Sequence, residues 1–267
     1  MHFGLSFEQE MIVDTVREFV EKEIYPHEAE VEHSGEVPLE LGHEIRDKCI
    51  EAGYFAANIS EEFGGGGLGH LDFTLLEREL GRASNALAVF FGRPSGILHA
   101  CTPEQAEEYL IPCVKGEKFD ALAMTEPGAG SDVRGMQCSA KPDGDDWIVN
   151  GSKHFISHAN IADFVIVFVA TGEEETPRGI KKKITCFLVD RGETGFEIRK
   201  GYNSVSHRGY QNCILNFDNC RLPESQILGE LHGGFDVMNE WLYATRLTVA
   251  ATSVGRARRA FEYALPY

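Results

Sequence analysis

Residues 123–140 read AMTEPGAGSDVRGMQCSA, and they bring three hydroxyls, two carboxylates and three glycines into one short stretch. Glycine has no Cβ, so Gly128 and Gly130 would let the backbone come close to another object. Hydroxyls at Thr125 and Ser131 would then donate to that object's oxygens or nitrogens. A tight turn that touches nothing is the plainer reading of a glycine-rich segment. Other chemistries find little footing. The ten histidines form no HExxH motif, which gives a metal site little support. The seven cysteines, from Cys49 to Cys220, are scattered, odd in number and without a CxxC pair. They read as buried free thiols of a reducing compartment, cytoplasm or mitochondrial matrix.

The elements that must hold this stretch follow from periodicity. Residues 1–120 read as an all-α domain. Ser6 and Gln9 suggest a capping box, and Met11, Ile12, Val16, Phe19, Val20 and Ile24 recur at helical spacing until Pro26, which is expected to end the helix. A second helix starts near Pro38, a third near Leu71, and a fourth at Thr102-Pro103 with Gln105 in the capping-box position. Residues 121–230 change to short Val-, Ile- and Phe-rich runs bounded by Gly, Asp and Pro, which predict strands; DWIVNG reads as a strand ending in an Asn-Gly turn. From 231 to 267 the helical period returns. Strands do not alternate with helices, so the fold class is α+β with separate domains and not a doubly wound parallel sheet. The last helix is apolar enough that further helices are expected to pack on it.

Composition narrows the partners. The 267 residues carry 25 Lys plus Arg against 42 Asp plus Glu, a net charge of −17, which disfavours nucleic acid and anionic membrane. No apolar run is long enough to span a bilayer and no secretory leader is visible. The basic run RGIKKK, after Glu173–Glu175, reads as a solvated loop between two strands, with a phosphate contact as the alternative.

Five segments in order resemble the acyl-CoA dehydrogenase family: SFEQEMIVDTVREFVEKEIYP, EEFGGGGLG, TPEQAEEYLIPCVKGE, AMTEPGAGSDVRG with VNGSKHFISHANIADFVIV, and LNFDNCRLPESQILGELHGGF. The resemblance runs from about residue 5 to the end. It implies an N-terminal helical domain, a central β-barrel and the first helix of a C-terminal four-helix bundle, in a flavoenzyme that is usually a homotetramer. It implies FAD as cofactor, an acyl-CoA thioester as substrate, the trans-2-enoyl-CoA as product and an electron-accepting flavoprotein as partner. Residue by residue, Leu122, Met124, Thr125, Gly130 and Ser131 match the segment that passes along the flavin. Phe155, Ile156 and Ser157 match the strand on its other side, with Phe and Ser where Trp and Thr are common. Ser131, Tyr243 and Arg246 match positions that reach the substrate.

Two departures matter. GYNSVSHRGYQN, residues 201–212, is longer than the matching family segment, and His207 and Arg208 are placed either on CoA phosphates, in the acyl pocket or in solvent. The family's basic Glu stands either just before the Arg of the last helix, where this chain has Thr245, or in the bundle beyond residue 267. No catalytic base is therefore assigned within these residues. A non-catalytic acyl-CoA- or flavin-binding scaffold of the same fold is the competing reading.

Overall fold

The computed structural model describes residues 4–177 and 179–266. Contacts divide the chain into two compact units. One comprises the chain through Arg93, the segment Ser204–Tyr210 and residues from Leu242 on; the other comprises Pro94–Asn203 and Gln211–Trp241.

The first unit is helical: α1 (Phe7–Phe19), α2 (Tyr25–Ser34), α3 (Leu39–Glu51), α4 (His70–Leu80), the short α5 (Asn85–Ala88), and the greater part of the last helix. The Ser6 capping box forms, with the Gln9 amide donating to Ser6 Oγ at 3.3 Å and the Ser6 amide to Gln9 Oε1 at 3.1 Å. Pro26 does not stop the chain's helical course as its ring would suggest. A π turn over Val20–Ile24 intervenes, and Pro26 then falls in the first turn of α2, where its missing N–H is not called on. Val16, Val20, Ile24 and Val31 remain on the buried side throughout. The third helix is shorter than the periodicity implies, because Gly81 closes it and the next residues form a short helix and a 3₁₀ turn.

The last helix crosses α4 at very short range. A Cβ on Gly255 would lie 1.8 Å from the Arg78 carbonyl oxygen. Charge closes the same seam. Arg259 binds both oxygens of Glu28 at 2.9 and 2.6 Å, and the nearly buried Arg82 binds Glu262 at 2.7 Å. The segment 204–210 also belongs here. Arg208 donates to the His33 carbonyl at 3.2 Å, which ties the segment to the end of α2.

The second unit carries two more short helices, α6 (Pro103–Gln105) and α7 (Ile111–Val114), joined by a π turn over Ala106–Leu110. Its body is one eight-stranded sheet, which fills the role expected of the β-barrel domain: β1 (Asp120–Ala123), β2 (Ser139–Asp143), β3 (Asp146–Ser157), β4 (Phe164–Thr176), β5 (Gly179–Asp190), β6 (Phe196–Lys200), β7 (Asn212–Pro223) and β8 (Ile227–Leu228). The order is β6-β7-β3-β2-β4-β5-β8, with β1 parallel to β4. The chain continues into α8 (Gly234–Ala264), the last helix, whose first residues group with this unit.

Two sequence readings change here. Asn150-Gly151 is not a turn but lies inside β3, opposite a bulge at Asp218-Asn219 of β7, and β3 runs on to Ser157. Gly151 has φ +138°, and a Cβ there would meet Cys138 Cα at 2.6 Å, so a glycine is required. The basic run is not a loop either. Lys181 and Lys182 lie in β5 opposite Glu174 and Glu173 of β4, an opposite-charge ladder; Arg178 lies outside the described residues.

All seven cysteines are free, six of them buried. Burial pushes the thiols of Cys49 and Cys220 up to about 12 and that of Cys138 to about 11. In the folded protein a thiol reagent such as Ellman's is expected to label all seven slowly, since burial pushes even the half-buried Cys101 up to about 12, and to reach them rapidly only after unfolding. Fast labelling of several thiols in the native state would contradict the packing described here. Gly255→Ala is expected to destabilise the protein by about 3 kcal/mol, because backbone meets backbone and no side chain can give way. A melting midpoint roughly 6–12 °C lower checks it.

Candidate functional site

The Thr125 loop and the middle of β3 come together within the sheet unit. Lys153 follows Trp147, Val149 and Gly151 at every second position, so the pleat turns it to the inner side of β3. It is 0% exposed. Its ammonium donates to Glu126 Oε1 at 2.7 Å and to the Met124 carbonyl at 3.1 Å. Glu126 is buried as well, and its carboxylate accepts the Gln137 amide at 2.6 Å and the Cys138 amide at 3.1 Å. The Glu126 amide and the Ala129 carbonyl close the loop at 2.9 Å, and the His154 amide donates to the Thr125 carbonyl at 2.7 Å. The loop is thus tied to β3 by an ion pair below and a backbone bond beside it.

What stays unused is informative. Among the described residues neither the amide nor the hydroxyl of the half-buried Thr125 has a hydrogen-bond partner. Pro127, Gly128, Gly130 and Ser131 are exposed, and a Cβ at Gly128 or Gly130 would meet nothing within 4 Å. The space the glycines leave is open, not filled by the protein's own atoms.

Across from the loop lies a conformational outlier. Phe155 has φ +55°, in the left-handed region that a bulky residue normally avoids, and it is 56% exposed. A register shift between Lys153 and Ile156 puts it there. The Tyr202 ring stacks on it at 4.8 Å with a 28° tilt, and the Tyr202 hydroxyl meets His154 Nδ1 at 3.0 Å. Ile156 turns inward to the sheet core, at 2% exposure, so only its backbone can face a ligand. Ser157 and Leu122 are half-buried on β3 and β1.

Leu122, Met124, Thr125, Gly130, Ser131, Phe155, Ile156 and Ser157 therefore all belong to the sheet unit. Tyr243 and Arg246 are exposed on the part of α8 that belongs to the helical unit, with the Arg246 guanidinium 5.8 Å from the Tyr243 ring. Sequence reasoning missed Glu126, Lys153 and Tyr202. Lys153 was findable, because it shares the parity of Trp147 and Val149; Tyr202 was not, because nothing local ties residue 202 to residue 155.

The free amide and hydroxyl at Thr125, the open space over two glycines and an exposed aromatic ring in a fixed backbone suit a flat ligand with polar edges. Residues 6–117 match the model of the acyl-CoA dehydrogenase N-terminal domain and residues 121–220 that of its middle domain. The caffeyl-CoA reductase-Etf complex subunit CarC of Acetobacterium woodii is 34% identical over 98% of this chain and 69% of its own length. The short-chain-specific acyl-CoA dehydrogenase of Clostridium acetobutylicum is 31% identical over 100% of this chain and 70% of its own. A solved glutaryl-CoA dehydrogenase of Mycobacterium smegmatis, in complex with FADH2, superposes with a TM-score of 0.86 at 27% identity, covering 98% of this chain and 66% of that one. The chain spans about two thirds of the length of these relatives. Domain models in family order, and relatives matched along nearly the whole chain, show that this chain belongs to the acyl-CoA dehydrogenase family.

Proposed function

We propose that this protein binds FAD and an acyl-CoA thioester and takes part in α,β-dehydrogenation to the trans-2-enoyl-CoA. The observation that carries the reading is Thr125: a loop held rigidly from below keeps one N–H and one O–H unpaired on its open side. Met124, Thr125 and Gly130 would line one side of the flavin, and Phe155, with the backbone of Ile156 and Ser157, the other. The bound flavin would supply the two-electron acceptor that no side chain of this protein provides. Leu122 would wall the ring's edge, and Phe155 would keep water off it.

By the family resemblance, Ser131 of the sheet unit and, separately, Tyr243 and Arg246 of the helical unit match positions that reach the substrate. An open recess lined by Arg134, Gly179, Lys181 and Lys182 suits the CoA phosphates. Family relationship supports an electron-transferring flavoprotein as partner, since the A. woodii relative is a subunit of a complex with one. It also keeps the reductive direction open, because that relative is a reductase. Assembly as a homotetramer is the family expectation. Among the described residues no helix is long and apolar enough to cross a membrane.

One observation favours the scaffold reading. Thr245 occupies the place before Arg246 where one family variant carries its base, and a hydroxyl is too weak a base at neutral pH to take an α-proton. Glu240 lies five residues away, on another side of the helix.

Two measurements test the proposal. FAD titration followed by flavin fluorescence should show binding to the wild type. Thr125→Val should weaken it roughly fivefold, the value of about 1 kcal/mol for one hydrogen bond. Equal affinity and an unaltered flavin spectrum in the variant would remove Thr125 from the site. Anaerobic mixing of the FAD-loaded 267-residue protein with acyl-CoAs of several lengths should leave the flavin oxidised. Rapid bleaching would mean that a base exists among these residues.

A further inference from the structure

The buried pair of Lys153 and Glu126 lies under the loop, and neither charge reaches the open side. A buried ion pair is poor value for stability alone, since well-packed apolar groups do as well or better. The geometry gives it a second task. The Met124 carbonyl and the Thr125 N–H belong to one trans peptide, so they point in opposite directions. Lys153 Nζ holds that carbonyl at 3.1 Å, which turns the Thr125 N–H to the side away from Lys153. The next peptide is fixed in the same way, by the His154 amide on the Thr125 carbonyl at 2.7 Å. Glu126 keeps the ammonium from drifting, at 2.7 Å. Its own carboxylate is anchored by the Gln137 and Cys138 amides. Carboxylate, ammonium, carbonyl and amide form one chain that ends at the unpaired Thr125 N–H.

We propose that Lys153 and Glu126 are positioning residues that aim the Thr125 amide at the flavin, and that they set flavin affinity and spectrum without touching the ring. The proposal rests on the flavin reading of the site. It predicts that neutralising both charges together leaves the fold intact but loosens the aim. Methionine matches lysine's length and lacks its donor. Glutamine at 126 still accepts the Gln137 and Cys138 amides.

The test compares the wild-type 267-residue protein with Lys153→Met/Glu126→Gln. Amide hydrogen exchange is measured without flavin, and FAD affinity and the flavin absorption spectrum are measured with it. Exchange at Glu126 and His154 should be at least about tenfold faster in the double variant, with β4 and β5 amides unchanged. FAD affinity should fall about tenfold with an altered flavin band shape. Wild-type exchange at those two amides overturns the proposal, and so does a loosened loop with unchanged affinity and spectrum. If the wild type takes up no FAD, the flavin reading falls, and exchange alone still decides whether the pair orders the loop. Should the double variant not fold, Lys153→Leu/Glu126→Gln replaces it. That variant also removes the donor to the Met124 carbonyl, and wild-type values in both measurements would again overturn the proposal.

Discussion

A fully buried ammonium group constrains the sheet unit around the Thr125 loop. Lys153 is enclosed by the strands, and a buried charge left without its partner costs about 3–5 kcal/mol. Glu126 therefore has to stay within reach, and Glu126 in turn keeps the amides of Gln137 and Cys138 beneath it. In the stretch between them, from Pro127 to Asp132, the buried Ala129 pairs both its amide and its carbonyl with Glu126, while Pro127, Gly128, Gly130 and Ser131 stay exposed. An open loop that is also a defined loop is what a ligand site needs, since ordering it at the moment of binding would cost conformational entropy.

Phe155 is shaped by the same strand. The bulge that follows Lys153 puts residue 155 into the left-handed region and outward, then returns Ile156 to the core. Alternation alone would have sent residue 155 to the inner face with residues 151 and 153. One irregular step in β3 thus separates a buried charge from an exposed aromatic two residues later.

The helices and strands were legible because most of their residues repeat a period. Ser6, Thr102 and the Val-rich β4 and β5 say what they are without tertiary context. The misread places are those where a local signal has two physical outcomes. Proline after a helical run stops a helix unless a π turn precedes it, and Asn-Gly makes a turn unless a neighbouring strand needs the glycine's missing Cβ. A lysine-rich run following a glutamate run can be a solvated loop or a charged ladder, and only the register of β4 on β5 decides. In the site, the glycines and hydroxyls of residues 125–131 were visible as a motif. Their support was not, because Glu126 and Lys153 are 27 positions apart and meet only across strands. Arg208 shows the same limit: nothing local tied it to the end of α2, 175 positions away, where it donates to the His33 carbonyl.

The helical unit is assembled from three separated stretches of chain, and this governs how it can be made. Glu28 meets Arg259 across 231 positions, and His33 meets Arg208 across 175. At roughly 5–20 residues per second of synthesis, Glu28 waits about 12–46 s for its partner. Until then the face that α8 will cover, with the side chains of α2 and α4 that line it, stands open on the ribosome. Contacts this distant in sequence are slow to form and leave apolar surface available for wrong associations. Shielding of α2 and α4 during translation is thus a requirement separate from the stability of the finished fold.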